Sequence, residues 1–403
     1  MVQNMDRRLK KEYSCGKIAY FSNTDFSLYN FRMGVMKEIK RKGFEVFACG
    51  NITKKELVKE IEKHEIKFIN IPLKRSFDWW GGDILYFFRV YFFCRKKKIN
   101  VCHNFTIKPC IYASLAQKMT GVPKIYCTIT GLGYIFQENN LKISLLRKIV
   151  IFLYKFSFKF TDKVIFQNPD DSELFIKLGI IKKEKTKIIK SSGVDVDEFS
   201  PFSVDQEKIK NLKKEIDYKE DKIYITLVSR MLWQKGVGEF IEAAKKLKKK
   251  YNNLIFLLVG PVDRESPSGI PREKLENWHK EGIVKYLGER RDIREILAIS
   301  DIFTFPSYYG EGVPKALLEA GAMGLPLVTT NIPGCKEVVD DNKNGFLIRP
   351  KDTEDLAEKI ETLIKDEGLR VRFGKNSKEK ILKEFDEKNV VKKYIEQIYK
   401  IIN

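Results

Sequence analysis

The run EGVPKALLEAGAMGLPLVTTNIPGCKEVV (311–339) holds two acids, Glu311 and Glu319, with seven residues between them. A strand-like DIFTFP (301–306) leads through a Tyr-Tyr-Gly turn into Glu311-Gly312-Val313-Pro314, after which a helix carries Glu319. Pro314 suits a first helical turn, where its missing N–H is not needed. The N–H groups at a helix start are free, and the helix dipole favours an anion there. Gly312 lets a ligand come close to the backbone. Glu319 lies about one and a half turns inside the helix, so the two carboxylates reach one crevice from different depths. A phosphate at the helix start, with carboxylates accepting from neighbouring hydroxyls, describes a nucleotide-sugar pocket. Taken alone, the same run also reads as a helix with a capping acid and a solvated Glu.

A second element decides between those readings. The strand-like KIYITLVS (222–229) is followed by RMLWQKG (230–236) and then by a helix. Arg230 and Lys235 therefore sit at the C-terminal end of a first strand, where ligands bind in doubly wound sheets. An Arg offers phosphate a bidentate fork and a Lys a point charge. In a basic chain two solvated cations are ordinary; at a strand end, beside the Glu-bearing helix, they point to a diphosphate site.

The elements that must position these residues alternate along almost the whole chain. KIAYFS (17–22), the helix-length 28–42, FEVFAC (44–49), the amphipathic 54–64 and KFINI (67–71) set a βαβα rhythm, which argues for parallel sheets covered by helices on both faces. The polar segment 191–221 has no strand and reads as a linker with local helix in its second half. Beyond it LIFLLVG (254–260), IVKYLG (283–288), DIFTFP and LPLVTT (325–330) form a second doubly wound unit, and the tail from Thr353 to Asn403 is helical in pattern. The expected fold class is α/β: two Rossmann-like doubly wound domains facing a central cleft.

A length of 403 residues allows two to three domains at roughly 150 residues each. The hydrophobic share of 43% and charged share of 32% describe a globular chain, not a disordered one. The formal net charge of +21 is uneven: residues 1–200 hold 37 Lys and Arg against 20 Asp and Glu, residues 201–403 hold 38 against 34. A basic first half implies an acidic partner, nucleic acid or an anionic membrane surface. Seven cysteines without CxxC spacing suggest neither a disulfide framework nor a zinc site. The first sixteen residues lack the apolar core of a signal peptide, and no stretch of about 18 apolar residues is free of charge. The expectation is a cytoplasmic protein without a membrane span.

With these residues in view, the chain resembles the family 4 glycosyltransferases of GT-B architecture from about Lys17 to near the C-terminus. It is most similar to bacterial members that extend lipid-linked saccharides for capsule, O-antigen or protein glycosylation. The resemblance is carried by SLYNFRMG (27–34), TITGLGYIF (128–136), FQNPDD (166–171), SSGVD (191–195), SRMLWQKG (229–236), YLGERRD (286–292) and PSYYGEGVPKALLEAGAMGLPLVTTNIPGC (306–335). It implies an N-terminal acceptor-binding domain over 1–200, a donor-binding domain over 201–384, and a C-terminal helix, 385–403, that returns to the first domain.

The resemblance also implies roles. Arg230 and Lys235 bind the donor diphosphate and offset charge on the departing nucleoside diphosphate, with UDP the expected nucleotide. Glu319 accepts from the ribose hydroxyls, and Glu311 holds the donor sugar near the reacting carbon. Gly312, Val313 and Pro314 line the phosphate or sugar, and the backbone at Gly288 and Arg290 faces the base. Such enzymes retain anomeric configuration, by front-face displacement or through a short-lived ion pair. The former is favoured here, because no second carboxylate stands beside Glu311 as a nucleophile. No metal and no other cofactor is expected, and Asp170-Asp171 reads as helix capping.

On the acceptor or donor-sugar side the resemblance places Ser27, Asn30, Thr130 and Gly131, and the strand end in HNFTIKP adds His103, with Thr106 and Lys108 close by. Where many relatives carry a glycine pair in the first loop, this chain reads SNTDFSLYN (22–30). Where many carry a His near 130, it reads Thr130-Gly131-Leu132-Gly133. His103 either meets acceptor or donor, or is a core or edge histidine, which is the preferred reading.

Two basic, aromatic segments remain. In LKISLLRKIVIFLYKFSFKF (141–160), Lys148, Lys155 and Lys159 share one side at helical spacing, opposite Leu146, Ile149, Val150, Leu153, Phe156 and Phe160. ILYFFRVYFFCRKKK (84–98) ends in a basic cluster. The apolar faces are expected to pack on the sheet and the basic ends to meet anionic lipid, so the expected partners are a nucleotide sugar, a lipid-diphosphate-linked saccharide and the inner face of the membrane, to which the protein binds peripherally. Nucleic acid is not expected, since no recognisable module is present. A nucleotide-sugar epimerase or hydrolase on the same fold is the alternative enzyme, against which the paired glutamates argue.

Overall fold

The computed structural model describes residues 16–74, 81–136, 141–264 and 266–400. They form two compact units: one runs to Ser192 and takes up the chain again from Lys388, and the other spans Gly193–Glu387.

In the first unit β1 (Lys17–Thr24), α1 (Asp25–Arg41), β2 (Glu45–Asn51), α2 (Lys55–Glu62) and β3 (Lys67–Asn70) follow one another, then α3 (Gly82–Lys97) and β4 (Val101–Phe105). A π-type turn over Pro109–Ala113 opens α4 (Ser114–Met119), and β5 (Lys124–Ile129), α5 (Leu141–Ser157), β6 (Lys163–Phe166), α6 (Pro169–Lys177) and β7 (Thr186–Ile188) complete it. The seven strands are all parallel, in the order β3-β2-β1-β4-β5-β6-β7. The order reverses between β1 and β4, and at such a switch point the loops leaving the strands diverge and open a crevice at the carboxyl edge.

Local sequence explains the elements. Thr24 caps α1 by accepting from the amide of Ser27, and Leu28, Val35, Met36 and Ile39 recur at helical spacing and are buried. Asn168, not Asp170 or Asp171, caps α6, accepting from the amide of Asp171 at 2.8 Å. In α5 the buried side is Val150, Tyr154 and Ser157, with Leu146 and Leu153 partly buried. Ile149 and Phe156, expected to pack on the sheet, are instead exposed. The helix presents only a narrow arc to the sheet, so residues at its margin stay outside.

The second unit contains α7 (Gln206–Glu215), β8 (Ile223–Val228), α8 (Val237–Lys248), β9 (Leu254–Val259), α9 (Arg272–Lys280), β10 (Lys285–Gly288), α10 (Ile293–Ala298) and β11 (Ile302–Phe305). It continues with α11 (Lys315–Ala322), β12 (Leu327–Thr330), α12 (Cys335–Val338), β13 (Gly345–Ile348), α13 (Thr353–Lys365) and α14 (Glu367–Glu384). Its six parallel strands run β10-β9-β8-β11-β12-β13, with the reversal between β8 and β11. Residues from 193 belong to this unit because Val194 bridges Asp386 and shares a core cluster with Phe385 and Ile381.

After Glu387 the chain forms α15 (Glu387–Lys393) and a last turn, Tyr394–Tyr399. There Val390, Tyr394, Ile395 and Ile398 join Ile18, Tyr20, Met36 and Ile39 in one buried cluster of the first unit.

Candidate active site

The β8 and β11 strand ends gather the candidate donor groups. Beyond β8 the segment Arg230–Lys235 is held in place by the loop after β9. Met231 pairs with Val262 and Leu232 with Gly269, and the amide of Trp233 donates to Ser268 O at 2.9 Å. Gly269 and Gly260 permit this close approach; a Cβ on Gly269 would lie 2.2 Å from Asp263 O and one on Gly260 1.7 Å from Ser229 O. The same loop carries Asp263 to Arg230, whose Nη1 donates to Asp263 Oδ2 at 2.6 Å.

Lys235 ends a 3₁₀ turn, Trp233–Lys235, and its ammonium donates to Glu311 Oε1 while lying 5.0 Å from the Tyr309 ring centroid and 5.4 Å from that of Phe305. The Ser307 hydroxyl lies 2.8 Å from the same Glu311 oxygen. Ser307 O in turn accepts from the Thr330 hydroxyl, so the ends of β11 and β12 jointly fix the acid. The Glu311-Gly312 backbone is braced by Gly334 in the loop after β12. Gly334 has φ +83, and a Cβ there would lie 1.4 Å from Gly312 O.

Pro314 is the N-cap of α11 (φ −67°, ψ 121°), one position before the first helical residue expected for it. Val313 is buried in the core with Leu317 and Leu318. Glu319 is on α11 with its side chain 15% exposed, 3.9 Å from Lys315 Nζ. Burial pushes its carboxyl up to about 7; Lys315 opposes the shift and Glu198 adds to it. Gly288 closes β10 with φ +69 and open space where a Cβ would stand. The Arg290 guanidinium is gripped by Asp292 and, bidentately, by Glu215 at 2.6 and 3.0 Å, which raises its pKa. What Arg290 can offer a ligand is therefore mainly backbone.

In the first unit the structure brings some expected residues to the carboxyl edge and removes others. Ser27 opens α1 with its hydroxyl 2.8 Å from that of Ser22, and Asn30 donates to Phe26 O at 3.0 Å. Thr130 and Gly131, the latter at φ +121, follow β5 and are part-exposed. His103 is fully buried: its Nδ1 lies 2.5 Å from the Tyr399 hydroxyl and its Nε2 2.7 Å from that of Thr128, with Tyr20, Phe105 and Tyr394 around it. Burial holds this imidazole well below its ordinary pKa, and Arg32 adds to the effect. Lys108 is buried too, donating to Asp83 Oδ1 at 2.5 Å and to Lys74 O at 3.0 Å. His103 thus takes the core place preferred for it, whereas Lys108, expected on the acceptor or donor-sugar side, is instead buried in an ion pair, which corrects the expectation for that residue. Among the described residues no three His, Cys, Asp or Glu gather as metal ligands.

Residues 208–380 match the family described as Glycosyl transferases group 1, and residues 17–168 match Glycosyl transferase 4-like. Over 386 residues the chain is 33% identical to the Campylobacter jejuni N,N'-diacetylbacillosaminyl-diphospho-undecaprenol alpha-1,3-N-acetylgalactosaminyltransferase, covering 96% of this chain and 99% of that one. The chain belongs to the family 4 glycosyltransferases. It is also 31% identical over 312 residues to the Escherichia coli UDP-Gal:alpha-D-GlcNAc-diphosphoundecaprenol alpha-1,3-galactosyltransferase, 75% of each chain being covered. Anabaena HepE, solved with UDP and glucose, superposes with a TM-score of 0.77 at 19% identity, covering 96% of this chain and all of that one. The fold of this glycosyltransferase is GT-B.

Sequence reasoning missed Asp263, Ser307 and Gly334, which hold the glycosyltransferase's candidate donor groups in place. Asp263 left no local signal, since its meeting with Arg230 depends on how two loops fold together. Gly334 did leave one: a Gly in NIPGC, just after a strand, marks a positive-φ turn or a close approach. Asp25 was also missed. Its buried carboxylate accepts from the amides of Thr53 and Lys54, both at 2.8 Å, tying the first two loops of the carboxyl edge together.

Proposed function

We propose that this glycosyltransferase moves a hexosyl or N-acetylhexosaminyl group from UDP to a saccharide carried on a lipid diphosphate, with retention of configuration. The observation that carries the reading is the Lys235–Glu311 pair at the ends of β8 and β11, with Arg230 five residues before Lys235. The two bacterial relatives, both named for diphospho-undecaprenol-linked acceptors, support the acceptor class. The galactosyltransferase's UDP-Gal donor supports the nucleotide.

The β8 and β11 loops hold the donor, with Glu319 accepting from the ribose hydroxyls and Glu311 from hydroxyls of the sugar. Arg230 and Lys235 turn toward the diphosphate as it enters, taking its charge in exchange for part of their bonds to Asp263 and Glu311. As the bond from the anomeric carbon to the leaving phosphate oxygen breaks, negative charge grows on that oxygen, and the two cations stabilise it. The acceptor hydroxyl attacks from the same face and passes its proton to the departing phosphate oxygen, so no protein nucleophile is required. These cations serve in place of a metal. A membrane-embedded acceptor also gives the basic first half a partner, the anionic membrane surface.

The test is nucleoside-diphosphate release from a panel of sugar donors, with and without lipid-diphosphate-linked acceptors, for the wild type and Glu311→Gln. Acceptor-dependent UDP release that Glu311→Gln removes is expected. Equal release without acceptor would make the protein a hydrolase and overturn the transfer reading.

A further inference from the structure

We propose that the outer faces of α3 and α5 together form a surface that docks on an anionic phospholipid bilayer. Both helices lie on the same face of the seven-stranded sheet, on either side of the Pro109–Ala113 turn. Tyr86, Val90 and Cys94 of α3 pack with Ala113 and Ala116, and Val150 and Tyr154 of α5 pack with Cys110 and Ile111.

Their opposite sides are apolar where solvent should be. On α5, Leu141, Leu145, Ile149, Phe152 and Phe156 are all exposed, Leu145 by 63% and Phe152 by 67%. At roughly 100° per residue they fall within an arc of about 80°, with Lys148 and Lys155 along one margin and Lys142 at the other. On α3, Ile84, Leu85, Phe88 and Phe92 are exposed, Phe92 by 63%, and Arg89, Arg95 and Lys96 lie on the same side. Contiguous exposed apolar surface of this kind marks a docking site.

Charge selects the occupant. α5 contains no Asp or Glu, and the only acid on α3, Asp83, is buried against Lys108. A second copy of the chain would bring two cationic faces together with no acid to pair them. A nucleic acid would meet the lysines but leave the Leu and Phe stripe in water. An anionic bilayer answers both, since phosphate headgroups meet Lys and Arg while Leu and Phe enter the acyl boundary.

The placement also fits a function. Helices in parallel βαβ units run opposite to the strands, so Leu141 and Leu145 stand at the carboxyl edge where β5 ends and Thr130 and Gly131 follow. A bilayer held there presents a lipid diphosphate to that edge. This purpose rests on the lipid-linked acceptor proposed above, whereas the exposed side chains and their charge do not.

The experiment is co-sedimentation of the full chain with phosphatidylglycerol–phosphatidylethanolamine vesicles and with phosphatidylcholine vesicles, together with UDP binding by calorimetry. The wild type is expected to partition onto the anionic vesicles at least about tenfold better. Leu145→Glu with Phe152→Glu, or Lys148→Glu with Lys155→Glu, should each lower that partition by at least about tenfold with UDP affinity unchanged. Wild-type partition by the Leu145→Glu/Phe152→Glu variant would overturn the proposal. So would a wild-type dimer in sedimentation equilibrium that this variant splits, because the face would then belong to a second copy. Vesicle binding without UDP binding would count against the donor site and leave the docking surface standing.

Discussion

The ammonium of Lys235 donates to Oε1 of Glu311, a residue 76 positions further along the chain, and the two side chains are almost equally withdrawn from solvent. Removing one partner of such a pair leaves the other's charge enclosed and unpaired, at about 3 kcal/mol. Glu311→Ala is therefore expected to lose that much stability as well as transfer, while Lys235→Met combined with Glu311→Leu regains most of the stability and none of the activity. Urea unfolding beside a donor-turnover assay checks this. Single variants as stable as the wild type would show that the pair is open to water in solution.

Asp263 shares the Arg230 guanidinium with any incoming diphosphate. In Asp263→Asn the competing negative charge is gone, and UDP is expected to bind about fivefold more tightly. Without the carboxylate, Arg230 is less well aimed at the leaving oxygen, and turnover should fall by about tenfold. Opposite signs on affinity and kcat are the signature; a parallel loss of both would mean that Asp263 only supports the loop.

Glu319 has its carboxyl raised to about 7, from an ordinary 4.5. As an acceptor of hydroxyl hydrogen bonds it works best ionised, so UDP affinity is expected to rise with pH from about 5 and level off above about 7. Stability has the opposite slope. A raised acid contributes fully below its unfolded pKa, and that contribution fades as pH climbs through the folded value. Glu319→Gln should flatten both profiles, and calorimetric titrations with thermal melts over that range measure them.

His103 should matter for stability alone. His103→Leu leaves the buried hydroxyls of Tyr399 and Thr128 without their partner, at about 2 kcal/mol, with donor KM and kcat close to wild type. Because burial depresses the folded pKa, the wild type loses stability as pH falls below the unfolded value of about 6.5, where the unfolded chain takes up the proton first. The variant should lack that loss. A drop in kcat at full stability would return His103 to the site.

Gly334→Ala puts a methyl group against Gly312 O in a left-handed conformation that alanine resists. The 311–312 backbone must move, and turnover is expected to fall by about a hundredfold. UDP binding through Glu319, on the helix beyond, should change far less.

The sheet rhythm, the cations after β8 and the two acids were legible in the sequence because strands, turns and helix starts leave local patterns of burial and of Gly and Pro. The same locality left His103 open between site and core, and it misled at Lys108, which follows the strand in HNFTIKP and looks like part of a polar edge. His103 is covered by Tyr399, 296 positions away, and Lys108 by Asp83. Whether a strand residue faces ligand or core depends on what packs over that side of the sheet, and the covering segment lies far along the chain. In the same way, the helical spacing of 141–160 announced an apolar arc and a basic one. Only the packed structure decided how wide an arc the sheet accepts, and so which of those Leu, Ile and Phe residues remain outside.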